Sequence, residues 1–220
     1  MRIACIGGGP AGLYFSISMK LLDPSCEVVV LERNKPDDTF GWGVVLSDET
    51  LENLQANDAA SAATIRKNFA YWDDIALHFK GQRLVSTGHG FCGIGRKKLL
   101  LILQERARAL GVDLRYEIEV QSAETYRNDY DVVVANDGLN SKARMLYQDT
   151  FKPAIDERLC QFVWLGTHQT FKDAFTFIFE ETKHGWVWVH AYQFDQNTAT
   201  FIVECTQETF DAWGFGEMSQ

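Results

Sequence analysis

The chain has 220 residues, 46% hydrophobic and 23% charged, the make-up of a globular protein able to bury a sizeable core, as one large domain or two small ones. Its formal net charge is -9, from 21 Lys+Arg against 30 Asp+Glu, which argues against a broad basic surface for nucleic acid or an anionic membrane but leaves room for a local basic pocket. Cys5, Cys26, Cys92, Cys160 and Cys205 form no CxxC pair and have no histidine at ligand spacing, so neither a disulfide framework nor a metal site is expected, and reduced, cytoplasmic thiols are the default.

Ile3-Ala4-Cys5-Ile6 is a short apolar run suited to a buried parallel strand, ended by Gly7 to Gly12. The run is too short for the apolar core of a secretory signal, and those that follow fall far short of a membrane span. A helix is expected next, with Leu13, Ile17 and Leu21 inside and Asp23-Pro24 as its stop. Glu27 to Leu31 reads as a second buried strand with Glu32 at its carboxyl end, completing a βαβ unit of about thirty residues. In that setting Gly7 turns the chain out of the strand, Gly9 lets backbone approach a pyrophosphate, and Gly12 lets helix and sheet pack closely. The helix amino end, opened by Pro10 and Ala11, offers N–H groups and partial positive charge to an anion. Glu32, twenty residues past Gly12, stands where a carboxylate accepts ribose hydroxyls. A dinucleotide is expected, and this stretch alone does not choose between NAD and FAD.

Further along, Gly41 and Gly43 allow backbone to approach a flat ring system while Trp42, Val44 and Val45 give it apolar walls; the alternative is that Trp42 is a core aromatic. Ile75 to Phe79 and Leu84 to Thr87, joined around Gly81, read as a hairpin. Leu99, Leu100, Leu103, Ala107 and Leu110 recur with helical spacing up to Gly111, placing Arg96 at the start of an amphipathic helix. A cation there opposes the helix dipole and calls for another reason, whereas Lys97 and Lys98 read as solvated. Extended segments are expected at Val112 to Arg115 and Tyr116 to Val120, then a buried strand at Val132 to Ala135 followed by the Asp137-Gly138 turn. Asn140 or Ser141 caps a short helix ending near Tyr147. Beyond Arg144 the runs Leu159–Gly166, Phe175–Glu180, Trp186–Tyr192 and Thr200–Cys205 are aromatic and β-branched, the pattern of an antiparallel sheet that the hairpin joins. His168, His190 and Tyr192 are candidate substrate contacts there, weighed against ordinary hydrogen-bonded strand residues.

The pattern D-G-x-x-S-x-x-R from Asp137 to Arg144, together with the opening glycines, resembles the FAD-dependent aromatic hydroxylases, the flavoprotein monooxygenases typified by 4-hydroxybenzoate hydroxylase. Arg96 with Leu99 fits that family's Arg-x-x-Leu pattern, and Gly41-Trp42-Gly43-Val44-Val45 is similar to its members acting on aromatic acyl-CoA thioesters and, more distantly, to hydroxylases of violacein biosynthesis. The likeness runs through most of residues 1 to 213. It implies an α/β fold in which a Rossmann-like FAD-binding domain with a parallel sheet (1–70 and 92–154) accompanies a mostly antiparallel, incomplete substrate domain (71–91 and 155–220). It further implies FAD contacts at Gly7, Gly9, Pro10, Ala11 and Gly12, at Glu32 and Arg33, at Trp42, Gly43 and Val44, at Arg96, at the Val120 backbone near the adenine, and at Asn136, Asp137 and Gly138.

The activity so implied is an NADH- or NADPH-dependent hydroxylation of an aromatic substrate, with an aryl-CoA thioester as one reading, by O2 through a flavin C4a-hydroperoxide. The flavin carries the oxygen chemistry and the protein a dry, oriented cavity, so no catalytic acid or base is named. The family's third fingerprint, a downstream Gly-Asp segment, has no counterpart in this sequence, and the 220 residues read as the amino-terminal part of such an enzyme. Two other readings stay open: another FAD or NAD oxidoreductase on the same fold, and a non-catalytic nucleotide-binding fragment.

Overall fold

The computed structural model describes residues 1–218. In chain order the elements are β1 (Arg2–Ile6), α1 (Pro10–Leu22), β2 (Glu27–Leu31), β3 (Gly43–Ser47), α2 (Asp48–Asn57), α3 (Ala59–Arg66), β4 (Ala70–Trp72), β5 (Asp74–Phe79), β6 (Gln82–Ser86) and β7 (Phe91–Gly95). They continue with α4 (Arg96–Ala109), β8 (Asp113–Arg115), β9 (Val132–Ala135), α5 (Lys142–Leu146), α6 (Gln148–Phe151), β10 (Cys160–Thr167), β11 (Ala174–Thr182), β12 (Gly185–Gln193), β13 (Ala199–Thr206) and α7 (Gln207–Trp213). The chain divides into two compact units, one of Met1–Thr39, Leu54–Ile65 and Lys97–Ile155 and one of Phe40–Asn53, Arg66–Arg96 and Asp156–Gln220.

The first unit is built on a parallel sheet in the order β8-β2-β1-β9. Both β1 and β2 are buried over their last four residues, which is why they read as unbroken apolar runs rather than alternating ones. The buried face of α1 is Gly12, Leu13, Ser16 and Ile17, with the Ser16 hydroxyl donating to the Gly12 carbonyl at 2.7 Å. Leu21, expected inside, is 37% exposed, because the inward stripe is completed by the small residues Gly12 and Ser16 instead. α4 buries Leu99, Leu100, Ile102, Leu103 and Ala107, and Gly111 leaves it in the left-handed region at φ 82°. The segment Tyr116 to Val120, expected to be extended, forms no strand. Glu117 sits at φ 57°, and the N–H groups of Glu117 and Ile118 donate to the carbonyls of Asn34 and Glu32, which breaks a ladder after three residues of β8.

The second unit contains a six-stranded sheet in the order β10-β13-β12-β11-β5-β6 and a three-stranded sheet β3-β7-β4. All neighbours are antiparallel except β11 and β5. The β5–β6 hairpin turns through Lys80 at φ 48° and Gly81 at φ 74°, two successive left-handed residues of the kind that suits a tight hairpin. Segments 40–53 and 92–96 pack in this unit, where β3 pairs with β7 along its whole length.

Within the first unit one buried ion pair joins distant stretches of sequence. Asp58 is 4% exposed and accepts from Arg106 Nε at 2.9 Å and Nη2 at 2.8 Å and from the Ser61 hydroxyl. Burial pushes the Asp58 carboxyl up, but the Arg106 and Ser61 hydrogen bonds outweigh it and hold the group below the usual carboxylate range. A lowered folded value means stability that is present above the unfolded value of about 3.9 and lost as pH falls through the folded one. Asp58→Asn is therefore expected to cost about 3 kcal/mol at pH 7 by leaving Arg106 without its counter-charge. Thermal melts from pH 7 downward should show the gap between variant and parent closing below pH ~3.9; a gap that stays constant contradicts the pairing.

Candidate functional site

The carboxyl end of β1 is where the first unit brings its glycines together. Gly7 turns at φ 101° and donates to the Leu31 carbonyl at 2.8 Å, while Asn136 donates to the Ile6 carbonyl at 2.7 Å. A Cβ on Gly7 would stand 2.3 Å from the Asn136 carbonyl oxygen, and one on Gly12 would stand 2.1 Å from the Gly7 oxygen. Neither position has room for a side chain. Gly9 differs: its backbone is extended, and a Cβ there would meet nothing within 4 Å. It caps α1 without a side-chain hydrogen bond, with Pro10 opening the helix. The first-turn N–H groups of α1 are thus left to a ligand, with the positive end of the helix dipole behind them.

Glu32 closes one side of this turn. Its Oε2 accepts from the Gly8 N–H at 2.7 Å, and its Oε1 accepts from the Asn34 N–H at 2.8 Å and the Asn34 side-chain amide at 2.7 Å. The carboxylate braces the glycine loop, and lone pairs remain for a further donor. Two residues not singled out from sequence explain that geometry. Gly8, whose Cβ would lie 2.9 Å from that of Glu32, makes room for the brace, and Asn34 locks it. The uninterrupted Gly7-Gly8-Gly9 run was the available signal for Gly8, since the fingerprint itself requires only the outer two. Arg33 beside them is exposed.

On the other side, Asn136, Asp137 and Gly138 follow β9. Asn136 Nδ2 is buried without a hydrogen-bond partner, a donor awaiting an acceptor. Asp137 accepts from the Ala143 N–H at 3.1 Å. Burial pushes its carboxyl up, but hydrogen bonds from the Ser141 hydroxyl and the N–H groups of Ala143, Asp137 and Lys142 prevail and hold it below the usual carboxylate range. Ser141 caps α5 by accepting from the Arg144 N–H, and Gly138 takes φ 81°, the left-handed turn the Asp-Gly dipeptide suggested. The Val120 side chain packs on the Ala4, Val29 and Leu31 cluster. So Gly7 to Gly12, Glu32 and Asn136 to Gly138 converge on one edge of the parallel sheet, at the carboxyl ends of its strands.

The remaining candidates lie in the second unit. Gly43 is enclosed by protein: its N–H donates to the Thr200 hydroxyl at 3.0 Å, its carbonyl accepts from the Tyr192 hydroxyl at 2.8 Å, and a Cβ would fall 2.6 Å from the Phe194 ring. Val44 pairs with Ile94. Trp42 is 47% exposed and lies against Gly166, where a Cβ would be 2.6 Å from its ring, so it is not a core aromatic. Arg96 donates its N–H to the Trp42 carbonyl at 2.8 Å and holds its guanidinium 6.0 Å from the Trp164 ring centroid, with no carboxylate at ion-pair distance among the described residues. His168 meets the Asn197 carbonyl at 3.3 Å and Tyr192 is 5% exposed; both are satisfied strand-end and strand residues.

An uncapped helix amino end and a buried amide donor with no acceptor fit an anionic dinucleotide. Residues 1–145 match the family of FAD binding domains. The chain belongs to that family. This FAD-binding chain is 45% identical over 178 residues to salicyloyl-CoA 5-hydroxylase of Streptomyces sp., covering 81% of itself and 34% of that protein. It is 32% identical over 222 residues to protodeoxyviolaceinate monooxygenase of Chromobacterium violaceum, covering 100% of itself and 59% of that protein. The chain thus spans 34% and 59% of these relatives' lengths. Among solved structures, 2-methyl-3-hydroxypyridine-5-carboxylic acid oxygenase superposes with a TM-score of 0.76 at 19% identity, over 94% of this chain and 59% of its own. CtdE, solved in complex with FAD and a substrate, superposes at 0.70 with 17% identity, over 94% of this chain and 57% of its own. At these identities the likeness is one of fold.

The glycines should separate by experiment. Gly9→Val is expected to melt within a degree or two of the parent, having open space, yet bind FAD at least about tenfold more weakly, a loss of about 1.4 kcal/mol. Gly12→Ala is expected to destabilise the fold itself by about 1–3 kcal/mol through its clash with the Gly7 carbonyl. Melting curves and FAD titration check both; a Gly9→Val protein with full FAD affinity contradicts the assignment.

Proposed function

We propose that the protein is an FAD- and NAD(P)H-dependent monooxygenase that hydroxylates an aromatic substrate held as an aryl-CoA thioester, and that this chain supplies its FAD-binding domain (1–70 and 92–154) and part of its substrate domain (71–91 and 155–220). The observation that carries the reading is the bare amino end of α1, where Gly9 leaves open space and no side chain caps the helix. FAD, when bound, supplies the redox and oxygen chemistry that side chains lack. Gly9, Ala11 and Gly12 hold its diphosphate with N–H groups and helix dipole, Pro10 opens the helix behind them, and Glu32 accepts ribose hydroxyls while keeping the loop braced. Arg33 and the Val120 backbone lie on the adenosine side, and Asn136, Asp137 and Gly138 contribute the amide donor and the turn. Arg96, Trp42, Gly43 and Val44 take their cofactor role from the family resemblance, with the unpaired Arg96 guanidinium as its physical support.

The 45% identity to a salicyloyl-CoA hydroxylase favours the thioester over a free acid. Among the described residues no helix is long and apolar enough to cross a membrane, and four of the five cysteines are buried and free, in keeping with a reduced compartment. The complete gene product should purify with a flavin absorption spectrum and oxidise NADH or NADPH several-fold faster with salicyloyl-CoA or a related aryl-CoA than without it, yielding a product one oxygen heavier by mass spectrometry. Stimulation by free acids alone would overturn the thioester, and the lack of any oxygenated aromatic product would overturn the monooxygenase.

A further inference from the structure

Strand alternation sets Phe175 and Phe177 of β11, Trp188, His190 and Tyr192 of β12 and Glu204 of β13 on one face of the six-stranded sheet, with Phe177 opposite His190 and Trp188 opposite Glu204. This aromatic face carries one ionisable pair at its middle. His190 Nδ1 stands 3.8 Å from Glu204 Oε1, each side chain about 30% exposed, and the other carboxylate oxygen accepts from Trp188 Nε1 at 2.7 Å. Phe177 meets the imidazole edge to face at 5.0 Å between centroids and Phe175 does so at 6.4 Å. Trp188 therefore fixes the carboxylate, the carboxylate sits on the Nδ1 side, and the two phenylalanines set the ring plane. Nε2 is left without a hydrogen-bond partner among the described residues.

The other polar groups nearby are engaged: the Tyr192 hydroxyl donates to Gly43 and the Thr200 hydroxyl accepts from it. Directly opposite His190 stand Phe177 of β11 and Ile202 of β13; Glu204 is the charged neighbour, Tyr192 is the titratable one along β12, and Glu181 of β11 lies on the same face further along, opposite Trp186. An imidazole 3.8 Å from a carboxylate that Trp188 holds, its plane set by two phenylalanines and its second nitrogen open on an aromatic surface, is placed to accept a proton as a general base.

We infer that His190 accepts the proton of a ring hydroxyl, so that the substrate class is a hydroxyaryl thioester; the inference rests on the monooxygenase reading above. The substrate O–H bond breaks, an Nε2–H bond forms, and the electron pair stays on oxygen as phenolate, whose ring is richer in electrons for attack on an electrophilic oxygen. Glu204 balances the imidazolium charge, and the half-buried ring returns the proton to water. His190 is the catalytic residue, and Glu204 and Trp188 are positioning residues.

The test reads ligand ionisation by ultraviolet absorbance, in the FAD-loaded complete protein without NAD(P)H, using salicyloyl-CoA and its non-ionisable analogue 2-methoxybenzoyl-CoA. The parent should bind both and ionise salicyloyl-CoA about one pH unit or more below its value in free solution. His190→Gln, folded by circular dichroism and binding the methoxy analogue as before, should lose that shift, and Glu204→Gln should lose part of it. Equal ionisation in parent and His190→Gln overturns the inference while leaving the monooxygenase reading standing. Failure of the parent to bind either thioester overturns the thioester reading and His190's role together.

Discussion

Three backbone segments meet at the end of β1 with no space for a Cβ between them, and the nucleotide-binding half of the molecule depends on that contact. Gly7 must turn at a positive φ to let the chain leave the strand beneath the Asn136 carbonyl, and Gly12 must pass the Gly7 oxygen to let α1 lie on the sheet. A methyl group at either place would push helix, strand and β9 apart. What that tight packing leaves is the reverse at Gly9, a stretch of backbone with nothing in front of it. The site is thus a by-product of the packing: the same turn that closes the core presents the free N–H groups of α1 outward.

Around that turn, polar groups divide between structure and ligand. Glu32 spends hydrogen bonds on Gly8 and Asn34, and Asp137 spends its own on the start of α5, so both carboxylates are fixed before any ligand arrives. A fixed acceptor loses little entropy on binding, which favours affinity. Asn136 Nδ2 is a buried donor left without a partner, and the first-turn N–H groups of α1 are donors that no side chain caps. An anionic ligand rich in acceptor oxygens answers that imbalance, and a diphosphate flanked by ribose is such a ligand.

The first thirty residues were legible because the constraint there is local. A buried parallel strand must be apolar throughout, a Rossmann turn must have glycine where backbones touch, and both facts are written in consecutive residues. The second unit's long strands were legible for a related reason, since aromatic and β-branched runs between polar turns suit few other structures. β3 and β7 were not, because Gly43 to Ser47 and Phe91 to Gly95 are short and interrupted by glycine, and their pairing is 52 residues apart in the outermost register. Tyr116 to Val120 misled because its alternating apolar residues match a strand while Glu117 sits in the left-handed region. Glu32's second duty was hidden for a similar reason: sequence spacing shows where a carboxylate stands, and only the fold shows that Gly8 and Asn34 reach it first. His190 was visible as a residue, but its partnership with Glu204 depends on sheet register across β12 and β13.

The central claim is that FAD sits on the turn at the end of β1. Nuclear magnetic resonance of the 15N-labelled chain titrated with FAD tests it most directly. The account predicts the largest shifts at the backbone amides of Gly9, Ala11 and Gly12 and at the side-chain amide of Asn136. Saturable binding that leaves those four resonances unmoved would contradict it.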